Sequence, residues 1–113
     1  MRRPPLKRVL STWQRRLKLQ DYAITIRYSR KAEDPDWDGT IGLNWIDGEG
    51  MSSAIVIWRK IDPALLVPTV VHELVHILVD WWRVTAGTAE YEIKERAINK
   101  LADAIIGGYG HQC

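Results

Sequence analysis

The sequence predicts one α+β domain in the order α-β-β-β-α-α, with a small sheet packed on an N-terminal helix and on a strongly apolar central helix. Three observations predict it. Apolar residues recur at helical spacing near the N-terminus. Three β-rich segments then follow between residues 22 and 59. Two further helical segments come after the start signal Asp62-Pro63.

Leu6, Leu10, Trp13 and Leu17 place a helix over residues 5–19, with Lys7, Arg8, Arg15, Arg16 and Lys18 on its other face. Tyr22 to Tyr28 alternates and reads as a strand, and Lys31 to Gly39 as a polar turn region containing Pro35. Thr40–Ile46 and Ser53–Arg59 are two more strands, joined through Asp47-Gly-Glu-Gly50 as a hairpin. The sheet is expected to hold three strands or more, mainly antiparallel or mixed. Asp62 caps a helix with Pro63 at its first position, and Pro68 kinks that helix or restarts it. The central helix is expected over about Thr69–Trp82 and the last over about Ala89–Ile106, after a break at Gly87-Thr88. Gly107, Gly108 and Gly110 are expected to end it, leaving 107–113 as a loose tail.

The 113 residues suffice for a single domain with a real core. At 46% hydrophobic and 27% charged, the composition is globular rather than disordered. A formal charge of +2 does not by itself imply nucleic acid, and the basic first helix is read as a solvated face. Cys113 stands alone, so no internal disulfide forms. The basic start lacks the apolar run of a secretion signal, and Pro68, His72, Glu73 and His76 interrupt the most apolar stretch, so no membrane span is expected and the address is cytoplasmic. Asp34-Pro-Asp36-Trp-Asp38-Gly39 matches the opening of a calcium loop, but Trp45 stands where the bidentate Glu belongs; an Asp-rich turn is the reading.

The chemistry concentrates in Val70-Val71-His72-Glu73-Leu74-Val75-His76-Ile77-Leu78-Val79. Residues four apart on a helix lie one turn above each other, so two imidazoles can converge on one Zn²⁺. Glu73 projects about 100° round from His72, beside the metal's open side, where it can take a proton from a zinc-bound water. With Val70, Val71, Leu74, Val75, Ile77, Leu78 and Val79 around them, these polar groups have almost no solvated face. Unpartnered burial costs roughly 1–3 kcal/mol for each, and a metal supplies the partner.

A catalytic zinc usually has a third protein ligand. Candidates are Glu90, Glu92, Glu95, Asp103 and His111. On the last helix Tyr91, Ile98, Ala102, Ile105 and Ile106 form one arc, and Glu95 falls inside it. Glu92 lies at its edge and is second choice. Asn99, one turn after Glu95, is a candidate acceptor for a ring N–H of a ligating histidine, and Asp80 is read as solvated.

His72-Glu-Leu-Val-His76 followed by Glu95-Arg-Ala-Ile98-Asn99-Lys-Leu101-Ala102 resembles the gluzincin pattern, H-E-x-x-H plus a glutamate on a later helix. The second piece is similar to the E-x-x-A-N-x-F-A segment of ImmA/IrrE-type peptidases, with Ile98 for Ala and Leu101 for Phe, and the chain's size resembles that of the minigluzincins. The resemblance implies a zincin-like fold, one zinc held by His72, His76 and Glu95, and peptide-bond hydrolysis with Glu73 as base. It also implies a peptide or protein substrate lying along a sheet edge, for which Ser53–Arg59 is the candidate, and an oxyanion donor among Tyr91, Tyr109 and His111. The alternative is a zinc-stabilised binding or regulatory module without turnover. Retention of Glu73, which ligates nothing, speaks against it.

Overall fold

The computed structural model describes residues 5–36 and 41–110. Helix α1 spans Leu6–Arg16 and buries Leu6, Leu10 and Trp13, one per turn, as the sequence spacing requires. It stops three residues short of the predicted end. Lys18 takes a left-handed φ of 61°, and the Leu19 N–H returns to the Gln14 carbonyl at 2.9 Å, closing a Schellman-type cap. The Gln14 amide then donates to the carbonyls of Leu19 and Tyr22, carrying the chain into the first strand.

Strands β1 (Ala23–Tyr28), β2 (Gly42–Asp47) and β3 (Ser52–Ile57) form a mixed sheet in the order β1-β3-β2. Strand β3 pairs in parallel with β1 and antiparallel with β2. The β2–β3 hairpin turns where predicted, with the Gly50 N–H donating to Asp47 Oδ1 at 3.0 Å. The expectation that the third strand is the substrate-facing edge is corrected: β3 is central, and β1 and β2 are the edges. The physical reason is burial on both faces. Ile55, Val56 and Ile57 are consecutive, point alternately up and down, and are all buried, which suits a strand flanked on either side.

Asp62 caps a single 3₁₀ turn, Pro63–Leu65, by accepting from the Ala64 N–H. The central helix, α2, restarts at Leu66 and runs to Leu78. Pro68 falls in its first turn, where a missing N–H leaves no bond unmade. The helix ends four residues before Trp82 because the chain tightens into i→i−3 bonds, Asp80 N–H to Ile77 and Trp82 N–H to Val79. Apolar spacing in the sequence continued past that point and could not register the change. Helix α3 spans Ala89–Gly110, with Thr88 Oγ1 accepting from the Tyr91 N–H and Glu90 and Glu92 in its first turn. Its predicted end is corrected. Gly107 and Gly108 remain helical without positive φ, so glycine here weakens the helix without terminating it. Residues 111–113 lie outside the described part.

The core gathers one face of α1, the inward face of the sheet and nearly all of α2. Helix α2 packs against α1, β2, β3 and α3, and Ile98 and Ala102 seal the α3 side. Leu74 is fully buried, so Leu74→Ala is expected to cost about 2–5 kcal/mol of folding stability by urea unfolding, through lost burial and the cavity left behind. No helix among the described residues is long and apolar enough to cross a membrane.

Candidate metal centre

His72 and His76 lie one turn apart on α2, and their Nε2 atoms converge to 3.2 Å. The rings meet at 66°, with centroids 4.9 Å apart. Glu95 reaches across from α3, its Oε1 3.5 Å from His76 Nε2 and its Oε2 4.0 Å from His72 Nε2. A tetrahedral ion bound at about 2.0–2.1 Å separates its ligand atoms by about 3.3 Å. The gap between the two Nε2 atoms has the size of such an edge, and with one oxygen taken from Glu95 the three donor atoms all lie within 4.8 Å of one another. Two imidazole lone pairs facing each other need a proton or a cation between them, which a divalent ion also satisfies. These three residues form a group able to hold a metal ion. Glu92 is exposed and outside it.

Why Glu95 arrives there is local. Lys94 Nζ donates to the Trp82 carbonyl at 2.6 Å, tying the start of α3 to the turn after α2, and buried Ile98 fixes the helix's rotation one turn further on. Burial, with lesser contributions from His72 and Lys94, pushes His76 down to about 4. The ring is thus neutral at pH 7, the state a metal ligand needs.

Glu73 points elsewhere. It is buried against the start of β2, and it lines the cleft beside the two histidines without joining their group. Burial raises its carboxyl to about 7, opposed in part by the Asn44 amide. Asn44 Nδ2 donates to the Glu73 carbonyl at 3.0 Å, while Asn44 Oδ1 accepts from the buried Ser53 hydroxyl at 2.5 Å, which fixes the direction of the amide. A Cβ at Gly42 would lie 2.9 Å from Thr69 Cγ2 and 3.2 Å from Glu73 Oε2, so only glycine leaves the acid its room.

The cleft has two compartments either side of His72 and Glu73. One, of about 270 Å³, is lined by Leu43, Asn44 and Ile46 of β2, by His76, and by Tyr91 and Glu95 of α3. The other, of about 350 Å³, is mostly apolar, with Ile41, Leu65, Pro68 and Ala102 in its wall. The sheet edge that borders the cleft is thus β2.

Tyr91 lines the first compartment, whereas His111 and the Tyr109 side chain lie outside the described residues. Asn99 is exposed and lines the second; among the described residues it bonds to neither imidazole, so its expected role is corrected. Its position one turn beyond Glu95 carries it along α3 to the Pro68 side of the cleft. Asp80 is not freely solvated: its side chain is 21% exposed, pairs with Arg83 at 3.2 Å and abuts Gly48 of the hairpin. Of the candidate calcium loop, residues 37–39 and the side chains of Asp34 and Asp36 lie outside the described residues. Gly42, Asn44 and Ser53 were not singled out from the sequence. A lone amide between Leu43 and Trp45 was the available signal, but it carried no indication of which face turns inward.

No protein-family model, curated protein or solved structure matches the chain.

Proposed function

We propose that the chain is a zinc-dependent peptidase of zincin-like fold, hydrolysing a peptide or protein. The observation that carries the reading is the division of labour in the cleft. His72, His76 and Glu95 make a compact donor set, and a fourth, buried acid sits beside it without joining it. Imidazole and carboxylate donors suit Zn²⁺, and a neighbouring base is what hydrolysis adds to metal binding.

When bound, the ion would polarise the scissile carbonyl and lower the pKa of a water beside it. Glu73 takes a proton from that water as its oxygen attacks the carbonyl carbon. It then returns the proton to the amine as the C–N bond breaks. The edge of β2, unpaired among the described residues, offers main-chain groups to an extended substrate, which adds as a fourth strand above His72 and Glu73. The compartment walled by Ile41, Leu65, Pro68 and Ala102 accepts an apolar side chain of that substrate. The Tyr91 hydroxyl is the oxyanion donor within the described cleft.

The test joins metal analysis to turnover. Purified protein should carry about one zinc per chain on three protein ligands, and should cleave members of a broad peptide library, with loss on chelation and recovery on adding zinc. Absence of bound zinc, together with no thermal stabilisation by it, would refute the metal centre. Bound zinc without cleavage of any peptide would transfer the reading to a binding module.

A further inference from the structure

We infer that the exposed face of α1 is a docking surface for the phosphodiester backbone of nucleic acid, bound irrespective of base sequence. The exposed residues of α1 are Lys7, Arg8, Ser11, Arg15 and Arg16, and Lys18 follows in the cap; every one is a cation or a hydroxyl. Arg16 lies over the Trp13 ring at 4.7 Å. Lys7, Arg8, Arg15 and Lys18 have no ion pair among the described residues. Charge is segregated along the whole chain. The first twenty residues hold seven Lys/Arg and no acid, and the remainder hold nine Lys/Arg against fourteen Asp/Glu, so +7 stands against −5.

A face kept only for solubility mixes signs and gains from oppositely charged neighbours one turn apart. This one does neither. Lys7 and Arg8 even occupy the first turn, where the helix dipole disfavours cations and no acid balances them. A polyanion resolves both conflicts. Arg8 and Arg15 are two turns apart, about 10.5 Å along a helix of about 16 Å, a span over which duplex DNA presents several phosphates. A lipid surface fits less well, because the apolar side of α1 is already buried in the core as Leu6, Leu10 and Trp13 and has nothing left to insert. Helix α1 packs on α2 and β1 and not on β2 or α3 among the described residues, so the metal cleft stays open while this face is occupied. The acidic remainder of the chain confines a polyanion to it.

The experiment is fluorescence anisotropy of full-length protein with labelled duplex DNA of about 20 base pairs at about 50 mM salt. Saturable binding is expected, equal for unrelated sequences, with a slope of log affinity against log salt of about −3 to −4. Lys7→Glu/Arg8→Glu/Arg15→Glu should weaken it by more than about 30-fold and flatten the slope by about three, since each lost phosphate contact removes about one. Lys7→Gln/Arg8→Gln/Arg15→Gln should do the same more mildly, and neither variant should unfold at a lower denaturant midpoint than wild type, since two of the three changes remove cations from the first turn of α1. No binding at that salt, or binding unaffected by the triple substitutions, would overturn the inference. So would tighter binding to phosphatidylserine vesicles or to poly-glutamate than to the duplex.

Discussion

If the proposed function holds, Glu73→Gln is expected to bind zinc as wild type does and to lose hydrolysis by about 10²–10⁴-fold, the usual worth of a positioned general base. Glutamine matches the acid in shape, so the packing against Gly42 and Thr69 survives, and the donor set of His72, His76 and Glu95 is not touched. What disappears is the ability to accept a proton. Peptide cleavage assayed beside zinc content separates the two roles. Undiminished cleavage with zinc retained would remove Glu73 from the reaction.

The same substitution has a stability signature, readable without any substrate. In the metal-free protein burial raises the Glu73 carboxyl to about 7 from an ordinary value of 4.5. An acid raised in the folded state binds its proton more tightly there than in the unfolded chain. Folding stability therefore falls as pH rises from the unfolded value to the folded one. Glutamine carries no such cost. The metal-free variant should match wild type below about pH 4, and should exceed it by up to about 3 kcal/mol above pH 7, at 1.36 kcal/mol per pKa unit. Urea unfolding at the two pH values reads the difference. A carboxylate kept at a stability cost, when an amide would fit, is the pattern that the proposed role of Glu73 as a base predicts.

How far the sequence led depends on which interactions local spacing can express. His72, Glu73 and His76 were legible because their relation is internal to one helix, and Glu95 because the apolar arc of α3 fixes which acid turns inward. The Asp47–Gly50 hairpin and the break at Gly87-Thr88 were legible for the same reason. Sheet order was not. Adjacency to α2 in the chain suggested β3 as the open edge, yet the consecutive burial of Ile55, Val56 and Ile57 belongs to a central strand. The supports of Glu73 were hidden by that same uncertainty. Asn44 faces the helix only because it sits opposite Ile55 in the register, leaving Leu43 and Trp45 on the outer face with Trp45 58% exposed. Alternation alone would have turned the two large apolar residues inward. Lys18 misled in another way: a left-handed residue that is not glycine ended α1 without a compositional sign.

Glu95→Ala tests the contact between helices on which the metal centre depends. The two histidines belong to one helix and approach each other whatever α3 does; the carboxylate arrives only if α3 docks with Ile98 inward and Lys94 holding the Trp82 carbonyl. Removing it leaves two nitrogens and no counter-charge for a divalent ion. Zinc affinity should fall by more than about 100-fold, beyond the 10–100-fold typical of groups that merely support a ligand. Glu92→Ala, three residues earlier on the exposed side of the same helix, should change it less than about twofold, the distinction being between ligand and bystander. Thermal unfolding supplies a second reading, since a ligand present at 100 times its dissociation constant stabilises by about 2.7 kcal/mol. Wild type and Glu92→Ala should gain this on adding zinc, and Glu95→Ala should not. Equal losses in both variants would mean that charge near the cleft, rather than coordination, governs binding. A larger loss at Glu92 would mean that α3 is rotated by about 60° from the orientation in which Ile98 is buried, at 100° per residue.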